Sequence, residues 1–112
     1  RDYKVTGVQT YALPIYWLTI TSQPTGGTVN VDDVVAIGVG VSANSSPTYQ
    51  WQYSSDNSSW VDTFDYEYVN GSGTGTTTMS FKATTNDIGY YRCKIINEAG
   101  TFYSNSAYIN VL

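Results

Sequence analysis

An all-β fold, an antiparallel sandwich of about seven or eight short strands, is what this sequence predicts, and three observations carry the expectation. Apolar side chains recur at every second residue over short runs, as at Val35, Ile37, Val39 and Val41, which is the period of a half-buried strand. Polar, turn-forming clusters interrupt those runs at regular spacing. The chain is rich in Thr and Ser and holds eleven Tyr and three Trp, whereas Leu is too scarce for a helical bundle.

Each element can be justified in order from Leu18. "LTITSQP" alternates and then breaks at Pro24, as an edge strand does. "TGG" (Thr25 to Gly27) turns the chain, "TVNV" (Thr28 to Val31) resumes it, and Asp32–Asp33 turns it again. The Val35 to Val41 run is followed by the loop "NSSP", after which Tyr49, Trp51 and Tyr53 alternate with Gln50 and Gln52. "SSDNSS" reads as a hairpin loop leading to Trp60–Val61. "NGSGTG" (Asn70 to Gly75) is a further loop, and Met79 and Phe81 share a face beyond it. Tyr91, Cys93 and Ile95 share the next face, "NEAG" turns, and Ala107, Ile109 and Val111 close the chain.

At "DIGYYRC" the pattern becomes specific. Asp-x-Gly-x-Tyr-x-Cys (Asp87, Gly89, Tyr91, Cys93) resembles the signature leading into one core strand of immunoglobulin-like domains, the intermediate set above all. The resemblance covers Leu18 to Leu112. It implies an immunoglobulin-like sandwich in which Asp87 and Gly89 form a corner, Tyr91 bonds back across it, and Trp51 is the core tryptophan. Such domains commonly join their sheets by a disulfide. Here Cys93 is the one cysteine, and the resemblance assigns the partner position to Val41, so no intersheet disulfide is expected and Cys93 becomes a small buried hydrophobe. Disulfide-free versions, together with "YQWQYSSDNSSW", resemble bacterial and phage modules.

The leader reads differently. "VTGVQTYALPI" (residues 5 to 15) is one base, at Tyr11, from the in-frame translation of a common short-read sequencing adapter. Residues 1–16 are therefore expected to be a non-native, adapter-derived leader, to be set aside in functional reasoning. Residues 17–112 are then the domain, a piece of a parent chain that continues upstream.

Composition excludes several chemistries. The chain has no His, so neither a Ser-His-Asp nor a Cys-His arrangement is open to it, and one Cys cannot build a zinc site. No cofactor is implied, no Gly-rich phosphate loop opens a helix, and no apolar run is long enough to span a membrane. From Tyr16 onward three basic residues oppose eight acidic ones, 3 − 8 = −5, which argues against nucleic acid as a partner. Asp62, Asp65 and Glu67 read as a solvated acidic loop rather than a calcium site. Asn-x-Ser sequons stand at Asn44, Asn57 and Asn70, each in an expected loop.

What remains is a non-enzymatic module. Aromatic residues outside the expected core, namely Tyr53, Trp60, Phe64, Tyr66, Tyr68, Phe102 and Tyr103, are candidates for contact with a protein or glycan on a cell surface. The reading is a binding or adhesion module of a larger bacterial surface or phage virion protein, extracellular and flanked by neighbouring domains. A spacer in a tandem array, or a carbohydrate-binding appendage of a glycosidase, are the alternatives.

Overall fold

The computed structural model describes residues 15–63 and 77–112. Residues 1–14, which carry nearly all of the adapter-like leader, and the loop at Asn70 to Gly75 lie outside the described residues. The elements run β1 (Leu18–Ser22), β2 (Gly27–Val29), β3 (Val34–Gly38), β4 (Gly40–Ala43), β5 (Thr48–Ser54), β6 (Val61–Asp62), β7 (Thr78–Lys82), a 3-10 turn (Thr85–Asp87), β8 (Gly89–Asn97), β9 (Gly100–Tyr103) and β10 (Ala107–Val111).

The strands form the two layers of a sandwich. In one, β1 pairs with β4 and β3 with β7, all antiparallel. Val39 alone separates β3 from β4, and its N–H donates to the Thr77 carbonyl at 2.9 Å, so the two segments are one strand changing partners. Gly40 permits the change: a Cβ there would lie 2.8 Å from Thr21 Oγ1, where β1 is irregular. The second layer runs β2-β10-β8-β5-β6, with β9 also on β8. Its β2–β10 pairing is parallel. β9 and β10 pair with opposite halves of β8 and are one strand interrupted at residues 104–106. Merging the two split strands turns ten described segments into eight.

Apolar alternation places the core between the layers. Val35, Ile37, Val39, Met79 and Phe81 face Trp51, Tyr91, Cys93, Ile95, Ile109 and Val111. Full burial of a large apolar side chain contributes about 1.5–3 kcal/mol. Trp51, Cys93 and Ile95 retain no exposure at all. Cys93 is unpaired, and burial pushes its thiol up to about 12, far from a nucleophilic thiolate at neutral pH.

Turn chemistry supports these strands locally. At the Asp32–Asp33 turn, Asn30 N–H donates to Asp33 Oδ2 at 2.9 Å, and Asp32 adopts φ 75°. In the hairpin between β5 and β6, Asp56 Oδ1 accepts from the Ser54 hydroxyl and from the N–H groups of Ser58 and Ser59. The Ser59 N–H, with the other two donors, holds that carboxyl below its ordinary value.

Entry into β8 is built from two tyrosine hydroxyls, a Thr–Asp pair and a glycine. The Tyr91 hydroxyl donates to the Asp87 carbonyl at 2.6 Å, and the Tyr53 hydroxyl donates to the Ile88 carbonyl. Asp87 Oδ2 accepts from the N–H and hydroxyl of Thr84 at 2.8 and 3.0 Å. Between them Gly89 takes φ 153°, with space for no side chain: a Cβ would lie 2.6 Å from Tyr53 Cε1 and 2.7 Å from the Ser54 carbonyl oxygen.

The position facing Cys93 requires a correction. Val41 is half-buried and lines a surface cleft with Ala43, Pro47 and Tyr49, whereas Val39 is buried in the core. Tyr49 lies opposite Ile95, and Trp51 opposite Cys93. Val41 therefore belongs to the Tyr49–Ile95 layer at the end of the sandwich, and Val39, two residues deeper, to the Trp51–Cys93 layer.

Two outcomes are expected. Gly89→Ala combines overpacking with a disfavoured φ, each worth about 1–3 kcal/mol; urea denaturation should show a loss of at least ~2 kcal/mol, and a neutral result would mean the corner is not held as described. On oxidation, Val39→Cys should pair with Cys93 and raise the denaturation midpoint, a bridge typically contributing about 2–4 kcal/mol. Val41→Cys should remain reduced. Bridging by Val41→Cys alone would overturn the layer assignment.

Candidate functional site

Parity along β8 sorts its side chains. Gly89, Tyr91, Cys93 and Ile95 are buried, while Tyr90, Arg92, Lys94 and Ile96 point to the other face. The register sets Gln52 opposite Arg92, Gln50 and Tyr103 opposite Lys94, and Tyr108 opposite Tyr90, all on that outer face. Tyr103 and Tyr108 are exposed, and the rings of Tyr90 and Tyr108 meet at 4.9 Å between centroids.

Arg92 is the centre of this face. Its guanidinium carbon lies 4.2 Å from the centroid of Tyr103, on the β9 side, and 4.3 Å from that of Trp60, which enters from the loop before β6. Arg92 Nε donates to Gln52 Oε1 at 2.9 Å, and Gln52 Nε2 donates to Asp62 Oδ1 at 3.0 Å. The Asp62 carboxylate thus fixes which end of the Gln52 amide meets the arginine. That also accounts for a glutamine left only 8% exposed. Two aromatic rings and one amide hold a cation that would otherwise sample many rotamers.

The expected contact residues divide. Trp60 and Tyr103 stand on the outer face. Trp60 is half-buried without belonging to the core cluster or to the hydrophobics packed on it. Tyr53 and Phe102 do not stand there: both pack against the core, Tyr53 edge-on to Tyr91 at 5.2 Å and Phe102 opposite Ile95. Tyr53 shares the parity of Trp51, and burial pushes its phenol above the ordinary value. Phe102 shares the parity of Ile95, its β8 partner. Phe64, Tyr66 and Tyr68 lie outside the described residues.

Arg92, Gln52, Tyr90, Tyr108 and Lys94 were not singled out from sequence. The signal was present, because each occupies the parity opposite Trp51, Cys93 or Ile109.

Other features are occupied or silent. Asp62 serves Gln52, while Asp65 and Glu67 lie outside the described residues, and among the described residues no group of three potential metal ligands occurs. No described helix is long and apolar enough to cross a membrane. The Asn44 side chain donates to the Ile15 carbonyl at 2.7 Å and accepts from Trp17 N–H at 2.9 Å. Asn57 sits at a hairpin tip with φ 62°, and Asn70 is outside the described residues.

Two layers with a tryptophan–cysteine core and a tyrosine-bonded corner define an immunoglobulin-like domain. The chain belongs to the immunoglobulin I-set family, whose model matches residues 18–110. Among solved structures it is similar to the N-terminal Ig1-2 module of the Drosophila receptor protein tyrosine phosphatase DLAR, at TM-score 0.71 and 22% identity over 97% of this chain and 51% of that one. It is also similar to tandem Ig repeats of Dlar (TM-score 0.70, 23% identity, 88% of this chain and 50% of that one). Titin M4 matches at TM-score 0.68 and 18% identity, over 90% of this chain and 100% of that one. The chain thus spans about half the length of the Dlar structures it matches. No curated protein matches it in sequence.

If Trp60 and Tyr103 serve the outer face rather than the core, truncating either to Ala should cost little stability. A cation–π contact at an exposed site is worth about 0.5–1 kcal/mol, against about 3–5 kcal/mol for removing a core tryptophan. Urea denaturation of Trp60→Ala, Tyr103→Ala and, as the core reference, Trp51→Ala checks this. A Trp60→Ala loss equal to that of Trp51→Ala would put Trp60 in the core.

Proposed function

We propose that this I-set domain is a non-catalytic binding module of a larger, surface-displayed bacterial or phage protein, and that it contacts its partner through the outer face of the β10-β8-β5-β6 sheet. The observation that supports this most is the Trp60–Arg92–Tyr103 stack. It is a rigid, amphipathic group at the centre of an exposed face, and Trp, Tyr and Arg are the residue types that dominate interface energetics. Nothing in the core requires it, since the inward side chains of the same strands already close the sandwich.

A second reading, a spacer between neighbouring domains, draws on one observation. Asn44 holds the backbone at Ile15 and Trp17, and Asn97 Nδ2 donates to the Trp17 carbonyl at 3.1 Å. These bonds reach main-chain atoms, so they fix the direction of the chain before β1 whatever its side chains are. A domain strung in series profits from such a fixed entry.

Multivalent display separates the readings, because avidity raises a weak single-site affinity by orders of magnitude. Bead-coupled domain should bind bacterial cells or a glycan panel, and Trp60→Ala or Tyr103→Ala should weaken that binding by more than about tenfold with the fold intact. Binding unchanged in both folded variants would leave the spacer as the better reading.

A further inference from the structure

We infer that the outer face recognises a carboxylated sugar, with Arg92 as the residue that reads the carboxylate. This rests on the binding-face reading above and names its ligand class. The guanidinium offers five N–H donors. Its Nε edge is taken by Gln52 Oε1, and rings approach it from the β9 and β6 sides. The terminal Nη edge is left, the planar fork that matches a carboxylate in bidentate fashion. Among the described residues no hydrogen bond or ion pair engages that edge, and the Asp62 carboxylate is turned to Gln52.

Charge points the same way. The domain from Tyr16 onward carries three basic residues, Lys82, Arg92 and Lys94, against eight acidic ones. Two of those three share this face, on one strand and two residues apart. A positive locus on an acidic domain selects an anionic partner locally while repelling most other surfaces.

The surroundings favour sugar over an acidic peptide. β8 is hydrogen-bonded on both sides, to β5 on one and to β9 and β10 on the other, so an extended peptide cannot add to it as a strand. Beside Arg92 on this face stand Tyr90, Tyr103 and Tyr108, whose hydroxyl groups suit sugar hydroxyls, and further along the strand Thr48 and Thr101 flank the exposed Ile96. The exposed Tyr103 ring adds a surface on which a pyranose can stack.

The test is a titration of the 112-residue protein followed by ¹⁵N–¹H NMR, reading the Arg92 Nε–H and the Trp60 indole N–H. The probes are methyl glucuronide, the neutral methyl glucoside, and a glutamate-rich peptide. Methyl glucuronide should shift both side-chain signals and bind roughly tenfold or more tightly than methyl glucoside, the scale of a charge-assisted hydrogen bond. Arg92→Lys, which keeps the charge and loses the fork, should remove most of that preference. Lys94→Gln, remote from the core, should weaken glucuronide binding several-fold with an unchanged spectrum elsewhere, and covers the case in which Arg92→Lys disturbs the ring stack. Equal shifts by glucoside and glucuronide on this face would overturn the carboxylate assignment and leave the binding face standing. Tighter binding of the peptide would assign the face to protein instead. Absence of shifts on this face with every probe would overturn both inferences.

Discussion

The hydrogen bond from the Tyr91 hydroxyl to the Asp87 carbonyl is the constraint on which the rest of this domain depends. It fixes where β8 begins, and β8 is the strand with the most neighbours, pairing with β5, β9 and β10. Side-chain parity has period two, so a shift of one residue would exchange the two faces of the strand. Tyr91, Cys93 and Ile95 would leave the core, and Arg92 and Lys94 would be driven into it. The corner prevents that slip by several means at once. Gly89 admits no side chain, Thr84 and Asp87 bond each other across the 3-10 turn, and the Tyr53 hydroxyl takes the Ile88 carbonyl. Both the core and the candidate site inherit their geometry from this register.

The core does without the disulfide that commonly joins the sheets of such domains, and its packing shows how. Trp51 lies opposite Cys93 in register, and neither is exposed. Phe81 stacks on Tyr91 at 5.4 Å from the facing layer. The backbone of Cys93 is held too: its N–H donates to Ser104 Oγ and its carbonyl accepts from Ser104 N–H. Ser104 sits at the break between β9 and β10, so one serine closes the gap in that strand and pins the centre of β8. Aromatic packing and satisfied backbone groups therefore stand where a covalent link would otherwise constrain the unfolded chain.

Much of this was legible in the sequence, and the failures have physical causes. Period two marked the strands, and the resemblance of Asp87, Gly89 and Tyr91 to the family signature marked the corner. Tyr53 and Phe102, expected outside the core, pack against it instead. Tyr53 keeps step with Trp51, so alternation alone sends it inward, whereas Phe102 is set inward by its register with Ile95. Val41 was misplaced for a subtler reason. Counting along one strand does not fix the level at which it meets a strand of the opposite layer, and that level depends on the length of the turn between Ala43 and Thr48. The Arg92 site was the hardest to foresee. Its surroundings, Gln52, the Trp60 to Asp62 stretch and Tyr103, come from three separate segments, and only register brings them together.

That assembly also bears on whether the outer face is mere covering. A lone surface arginine loses rotamer entropy when it is ordered, a cost of up to about 2 kcal/mol. Two cation–π contacts at exposed sites return about 0.5–1 kcal/mol each. The Gln52 bond adds a contribution of the same order as any charged hydrogen bond, about 1.5–3 kcal/mol. The stack is thus favourable but modest, and hardly the cheapest way to cover a sheet, since threonines would do so without burying an amide. What the arrangement does provide is a guanidinium fixed before any partner arrives. Its ordering cost is met by the fold, so a ligand engaging the free edge meets a preorganised fork. An exposed face that must only avoid aggregation gains nothing from that. A face that must hold a planar anion against water gains the whole of it.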